Sequence, residues 1–400
     1  MASSKEPPGT RVPFRSFLRY FLWLGTFGFG GPIATVGYMQ RDLVEKRGWL
    51  AERDFLNGVA LGQTMPGPLA AQVVMWVGFL QRGALGALVT SLPFILPSFV
   101  LVLAVAIVYV RFSGLDVVQA LFYGIAPAVM AVIAVAAVKL ARLTNRTDVK
   151  LWAISAVIGV VTAVTGAEVA LLFVGAGLLM ILLEAPPKLG RGAAGGPVGG
   201  GPASGPAVGA ALFPLARRPF PVLTGFATGG TLLALGLFFL KAGAFIFGSG
   251  LAIVPFLREG VVAQHHWLTE RQFLDAVAMG LITPGPVVIT AAFIGYLVGG
   301  LAGAGVATVA IFTPIYLGVV VPGPWFVRHR DNPQVKAFVR GATAAAAGAI
   351  AGATVILAKG AIADWKTALI AAGGLGFVVR FKNREPVLVL LAAVAGLLLH

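Results

Sequence analysis

Apolar residues fall in six blocks, near 17–38, 55–81, 84–110, 117–138, 150–165 and 167–183. After a gap, six more follow near 222–257, 273–298, 301–321, 336–358, 362–379 and 386–399. Stretches such as 94–110 and 387–399 hold no charged side chain. Their apolar positions do not alternate, and they do not keep to one helical stripe. A helix apolar on all sides belongs in a large core or in lipid. The pattern predicts an all-α polytopic membrane protein with about ten to twelve transmembrane or re-entrant helices. The last two blocks of each set are short of the roughly 20 residues a span needs, so some elements are expected to be tilted, partial or re-entrant.

The gap between the two sets, 185–219, is rich in Gly, Pro, Ala and Ser and reads as a linker. It separates a first repeat, 1–184, from a second, 220–400. The two are copies. A shift of 218 positions, which carries Pro66 onto Pro284, also lays Phe27 on Phe245, Gly30 on Gly248 and Trp49-Leu50 on Trp267-Leu268. The same shift lays Glu52-Arg53 on Glu270-Arg271 and Gly62 on Gly280. After one deletion Gly78 meets Gly295, Gly83 meets Gly300, Pro97 meets Pro314 and Gly124 meets Gly341. A register held over a hundred residues is an internal duplication.

Inside these blocks the chain interrupts itself at matching places. "GQTMPGPLAAQ" (62–72) and "GLITPGPVVIT" (280–290) put Pro-Gly-Pro into apolar surroundings, and "FGFGGPIATVG" (27–37) and "FGSGLAIVP" (247–255) cluster glycines. Proline in a helix interior costs about 3 kcal/mol. In lipid a break survives only where protein or a watery cavity satisfies the freed backbone groups. Paired breaks in two repeats mark the binding site of a transporter, and half-helix N-termini favour an anion. Candidate substrate contacts are Gly30, Gly31, Pro32, Gln63, Thr64, Pro66, Gly67, Pro68 and Gln72. The second repeat adds Gly248, Ser249, Gly250, Thr283, Pro284, Gly285 and Pro286. Tight packing of helices through small residues is the structural alternative. Lys241, in the apolar run just before Gly248-Ser249-Gly250, is a candidate charge partner, with snorkelling to the interface as its alternative. Its counterpart is Trp23. Glu52, Arg53, Arg82, Glu270 and Arg271 are candidates for gating or ion coupling, although an acidic first turn after an interfacial Trp also describes a capped helix start. Thr269 with Gln272 fits a capping box.

Composition narrows the function classes. The chain is 58% hydrophobic and 11% charged, with a net charge of +15. The basic residues are scattered singly through short loops without aromatic platforms, which fits loop charge and not nucleic-acid binding. Cysteine is absent, and the four histidines show no metal-ligand spacing. The first twenty residues carry Lys5, Arg11, Arg15 and Arg19 without a cleavage pattern for a signal peptide. No nucleotide-binding loop, HExxH or GxSxG is present, so no catalytic residue, metal or cofactor is expected, and energy must come from a gradient.

The pattern FGxGGP, then W-L-x-E-x-x-F and P-G-P, repeated in a variant FGSGxAxxP form, resembles the chromate ion transporter family in its long, two-domain type. The resemblance covers 17–184 and 222–358. It implies export of chromate, with sulfate as the related oxyanion, across the bacterial inner membrane, driven by the proton motive force. Its motif residues here are Phe29 to Pro32, Pro66 to Pro68, Gln72, Lys241, Gly248 to Gly250, Pro255 and Pro284 to Pro286. The chain departs from the family at Thr35, where histidine is frequent, and at Trp23, where a basic residue is frequent. Expected partners are the oxyanion and the lipid bilayer, with no nucleic acid, and a homodimer is admissible. A carrier of another small anion and a non-transporting membrane scaffold or receptor are the competing readings.

Loop charge predicts how the repeats face. The loop after the fourth block is strongly basic in the first repeat (Lys139, Arg142, Arg146, Lys150). In the second the loops after the third block (Arg328, Arg330, Lys336, Arg340) and the fifth (Arg380, Lys382, Arg384) are the basic ones. Under the positive-inside rule this exchange points to inverted repeats. Inversion then requires an odd number of crossings in the first half, so one element is expected to be re-entrant.

Overall fold

A computed structural model describes residues 13–28, 31–112, 116–165, 170–186, 229–246, 253–329, 331–381 and 385–399. All regular elements among them are helical. The first apolar block is not one helix. It is α1 (Phe14–Phe27) and α2 (Gly31–Met39), the latter continued by a π-helical run Gln40–Lys46. Trp49 lies 6.2 Å from the ring of Phe17 and 6.4 Å from that of Tyr20, and the Arg47 guanidinium sits over Tyr20. The chain therefore turns back on itself between α1 and α2. In the second repeat α8 (Gly229–Ala244) is paired in the same way with α9 (Ile253–Arg258) and the run Glu259–Gln264, and Trp267 reaches Phe238 at 5.7 Å.

The second break also makes a hairpin. Helix α3 (Glu52–Thr64) stops before Pro66, and α4 (Leu69–Phe112) starts after Pro68. The Trp76 indole donates to the carbonyl of Asp54 at 3.1 Å, while Gly62 faces Leu69 and Gln72. Those pairings set α3 and 69–81 antiparallel. In the second repeat α10 (Glu270–Ile282) is followed by a 3-10 turn Val287–Ile289 and α11 (Thr290–Val320), and Gly280 faces Thr290. Thr269 and Gln272 close the expected capping box at the start of α10. At about 1.5 Å per residue, a 13-residue α3 reaches about 20 Å, short of the roughly 30 Å hydrocarbon layer. These hairpins dip in and return.

Sharp turns at Arg82-Gly83 and Gly299-Gly300 then send the chain into long helices. Gly83 has φ 61°, ψ −150° and Gly300 has φ 60°, ψ −148°, the same left-handed turn at matching positions. Gly78 against Gly86, and Gly295 against Gly303, let the flanking segments touch backbone to backbone. Four helical stretches are long and apolar enough to cross a membrane: Leu69–Phe112, α5 (Asp116–Asn145), Val287–Trp325 and α13 (Pro333–Ala361), where the third runs into the start of α12 (Gly323–His329). Shorter apolar helices α6 (Val149–Thr165), α7 (Ala170–Glu184), α14 (Trp365–Arg380) and α15 (Glu385–Leu399) complete the two sets.

The repeats exchange partners. Helix α13 packs on α6 and α7 of the first repeat, and α5 packs on α14 and α15 of the second. Gly348 and Gly352 bring α13 onto the backbone of Ser155 and Gly159, and Gly124 faces the backbone of Ala392 and Gly396. The Ser155 hydroxyl donates to the Ala344 carbonyl at 2.8 Å. These contacts place α13 parallel to α6, and therefore opposite in direction to its own counterpart α5. Arg340 joins Asp148 and Glu184 at 2.6 and 2.7 Å, and Tyr316 donates to the Ala84 carbonyl at 3.0 Å. At the other end Tyr109 meets Asp275, and Arg271 meets the Gln119 carbonyl. The repeats are inverted.

The crossing count expected for inversion needs correction. Each described repeat holds two hairpins and four further apolar helices, and the second adds the short α12. Glu184 thus returns to the end where α1 starts, whereas α8 starts beside the beginning of 301–320, at the opposite end. The described elements of the first repeat therefore cross an even number of times, so the odd count expected for inversion is not met within 13–186.

Candidate functional site

The hairpin tips meet across the repeats. Pro66-Gly67-Pro68 lies against the second repeat: the Gly67 amide donates to the Ile246 carbonyl at 2.5 Å, and a Cβ on Gly67 would come within 3.0 Å of Ile315 Cγ2. Pro284-Gly285-Pro286 lies against the first. There the Ser98 hydroxyl donates to the Pro284 carbonyl at 2.5 Å, and a Cβ on Gly285 would strike Ser98 Oγ. Ser98 and Ile315 occupy equivalent positions one residue beyond Pro97 and Pro314. Gly25 of α1 abuts the Phe94 carbonyl, and Gly243 of α8 abuts the Ile311 carbonyl. Two junctions related by the internal repeat result. Each contains a first-hairpin helix, a long helix and the Pro-Gly-Pro tip of the other repeat. Gly67 (φ 139°) and Gly285 (φ 98°) hold conformations that side chains disfavour.

The polar candidates have specific duties. Gln72 is fully buried, and its Nε2 donates to the Pro66 carbonyl at 2.8 Å, with the Met65 carbonyl at 3.4 Å. Its side-chain NH2 is therefore committed to bracing the break, and its Oε1 has no partner among the described residues. Thr290, the equivalent residue, donates to the Val287 carbonyl at 2.8 Å. The Thr283 hydroxyl faces the Gly280 carbonyl at 3.4 Å, and Gln63 is exposed in the last turn of α3. Gly31 and Pro32 open α2, and Thr64 closes α3. Gly30, Gly248, Ser249 and Gly250 lie outside the described residues. Lys241 is exposed in the last turn of α8, on the same flank as Leu237 and Leu240, with its Nζ 5.8 Å from the Phe256 ring centroid. It is close to the tip in depth but on the outer flank of the hairpin.

Among the gating candidates, Glu270 is paired with Arg258, with Nε to Oε2 at 3.1 Å and a second contact from Nη2 to Oε1. The position equivalent to Arg258 is Gln40, so the first repeat cannot form this pair. Arg271 donates to the Gln119 carbonyl at 3.1 Å. Arg82 lies in the turn of α4 with its guanidinium 4.2 Å from the Phe14 ring centroid, a cation–π anchor. Glu52 and Arg53 are exposed in the first turn of α3. The His265-His266 pair is exposed, and His265 stacks on Trp267 at 4.2 Å. Partial burial, and then the neighbouring His266, push the His265 imidazole below its usual range, so it stays neutral at neutral pH.

Two residues escaped the motif search. Ser98 sits in an otherwise apolar run, where its only signal is the preceding helix-interior proline. Asp275 is 2% exposed, and a carboxyl group inside an apolar segment was the available clue.

Inverted repeats with broken helices meeting between them define the architecture of a secondary transporter. The comparisons give the family. The chromate transporter family matches the chain twice, over residues 15–181 and 233–397, and the chain belongs to that family, which makes it a membrane transporter and not an enzyme. The chromate transport protein of Cupriavidus metallidurans is 46% identical across 100% of this chain and 98% of its own length. The probable chromate transport protein of Synechococcus elongatus is 45% identical across 96% of this chain and 95% of its own. An uncharacterized transporter of Methanocaldococcus jannaschii is 29% identical over 100% of this chain and 96% of its own. No solved structure matches the chain.

Proposed function

We propose that the protein exports chromate, or a tetrahedral oxyanion of the same charge such as sulfate, across the bacterial cytoplasmic membrane by alternating access. The observation that carries this reading is the reciprocal seating of each Pro-Gly-Pro tip on a long helix of the opposite repeat. A shift of one repeat against the other changes both junctions together, as alternating access requires. Four helical segments start at the tips, at Gly31, Leu69, Ile253 and Val287. The free amides at such starts favour an anion. A dianion would be held by the backbone and small side chains at Gly30 to Pro32, Gln63 to Pro68, Gly248 to Gly250 and Thr283 to Pro286, with Lys241 supplying charge from the flank. One end of the molecule holds Lys46, Arg47, Arg82, Arg146, Lys150, Lys336 and Arg340. By the positive-inside rule that end faces the cytoplasm. The mixed-charge end, with Asp116, Glu259, Glu270 and Asp364, faces outward.

Radiolabelled chromate uptake into inverted membrane vesicles tests the reading. Accumulation is expected to need a proton gradient and to be competed by sulfate, with Lys241→Met weakening apparent affinity and Lys241→Arg restoring part of it. Wild-type vesicles that take up no more chromate than empty-vector vesicles overturn it. An unchanged affinity in Lys241→Met removes the lysine from the site.

A further inference from the structure

Asp275 is placed where an ionised carboxylate is expensive. It lies five residues into α10 from Glu270 and is 2% exposed. Its Oδ2 accepts from the Tyr109 hydroxyl at 2.8 Å, while Oδ1 is buried without a partner among the described residues. The rings of Phe122 and Phe293 pack on Tyr109 at 5.2 and 5.3 Å and make the surroundings apolar. A buried charge with an unmet lone pair costs several kcal/mol, which a proton removes. Asp275 also lines a cavity of about 230 Å3 with Tyr109, Gln119, Phe122, Arg271 and Gln272, at the mixed-charge end. That volume holds several waters, enough to carry a proton to the carboxyl group.

The charged groups around it leave the carboxyl without a fixed counter-ion. Arg271, one turn back on α10, is held on the Gln119 carbonyl, and Arg258 is paired with Glu270. Helix α4 contributes Arg111, α5 Asp116 and α13 Lys359, all exposed, Glu259 accepts from Gln264, and α11 and α15 bring no charged side chain to this end. Repeat symmetry sharpens the picture. The positions equivalent to Asp275 and Tyr109 are Asn57 and Phe326, whereas that of Arg271 is Arg53. Asparagine keeps the shape of a carboxyl group and cannot titrate, so only the second repeat has the switch.

We propose that Asp275 is a proton-binding site loaded from the mixed-charge end, with Tyr109 positioning the carboxyl group and Arg271 turning to it when the proton leaves. The link to transport rests on the reading above. Loss of the proton would trade the Arg271–Gln119 contact for an Arg271–Asp275 pair, and so loosen α10 from α5 at the outer mouth.

Proteoliposomes holding wild type, Asp275→Asn or Tyr109→Phe separate the outcomes. Asp275→Asn mimics the protonated form. It is expected to keep chromate counterflow, which needs no gradient, and to lose accumulation driven by a proton gradient. Tyr109→Phe is expected to keep both and to shift the pH optimum of the driven mode. The site is overturned if Asp275→Asn accumulates chromate like wild type, or if a monodisperse Asp275→Asn protein loses counterflow as well. If wild type shows no chromate counterflow, the transport reading fails, and the site is then read without chromate. As pH rises, the melting temperature of solubilised wild type should fall more steeply than that of Asp275→Asn, because the native state holds a proton that the unfolded chain releases. Equal slopes overturn the proton site.

Discussion

At the scale of single residues the two junctions are held differently. Ser98 ties the second repeat's tip through a side-chain hydrogen bond to Pro284, whereas the first repeat's tip is tied by the Gly67 amide to the Ile246 carbonyl and Ile315 adds only apolar contact. Ser98→Ala leaves the buried Pro284 carbonyl without that donor, a loss of about 1 kcal/mol in a membrane interior. Gly285→Ala does more harm, because φ is 98° and the new methyl would strike Ser98 Oγ. In detergent, Ser98→Ala is expected to lower the melting temperature by a few degrees and Gly285→Ala by more, with chromate transport falling in the same order. A Gly285→Ala protein as stable and active as wild type would show that the tip is not held by this seat.

At the scale of elements, the breaks explain why apolar blocks long enough to span do not. The blocks 17–38 and 55–81 read as single helices because their apolar character continues through the glycines and prolines. That a break reverses the chain, and does not merely kink it, depends on Trp76 reaching Asp54 and Trp49 reaching Tyr20, which are contacts between segments. Replacing Pro284, Gly285 and Pro286 together by alanine favours helix through the tip, and α10 and α11 can no longer fold back on each other. The triple variant is expected to insert in the membrane at wild-type levels and to transport no chromate. Wild-type transport by an inserted triple variant would remove the broken tip from the mechanism.

At the scale of the whole molecule, inversion is the organising fact, and its sign was already present in loop charge. Arg340 brings Asp148, Glu184 and the start of α13 to one end, so positions 147 and 332, both exposed, share a side. The chain has no cysteine, so single cysteines at 147 and 332 give clean reporters. Both are expected to resist a membrane-impermeant thiol reagent applied to intact cells and to react after permeabilisation. Ready labelling of 332 with protection of 147 would mean parallel repeats. The same arrangement interlocks the halves, since α5 and α13 each pack on the last two helices of the other repeat. Neither half can complete its packing alone.

The membrane class, the duplication, the four interruptions and the bias toward inversion were determined by the sequence itself. Each is a one-dimensional property: apolar run length, residue register, Gly and Pro position, loop charge. Tertiary structure alone decided which break faces which helix, that Gln72 braces Pro66 from within, and that Asp275 meets Tyr109 across 166 positions. Those pairings come from helices packing side by side in an inverted pair. Lipid offers no polar group to an interior carboxyl or a freed amide, so each must find its partner in a distant segment that periodicity does not identify.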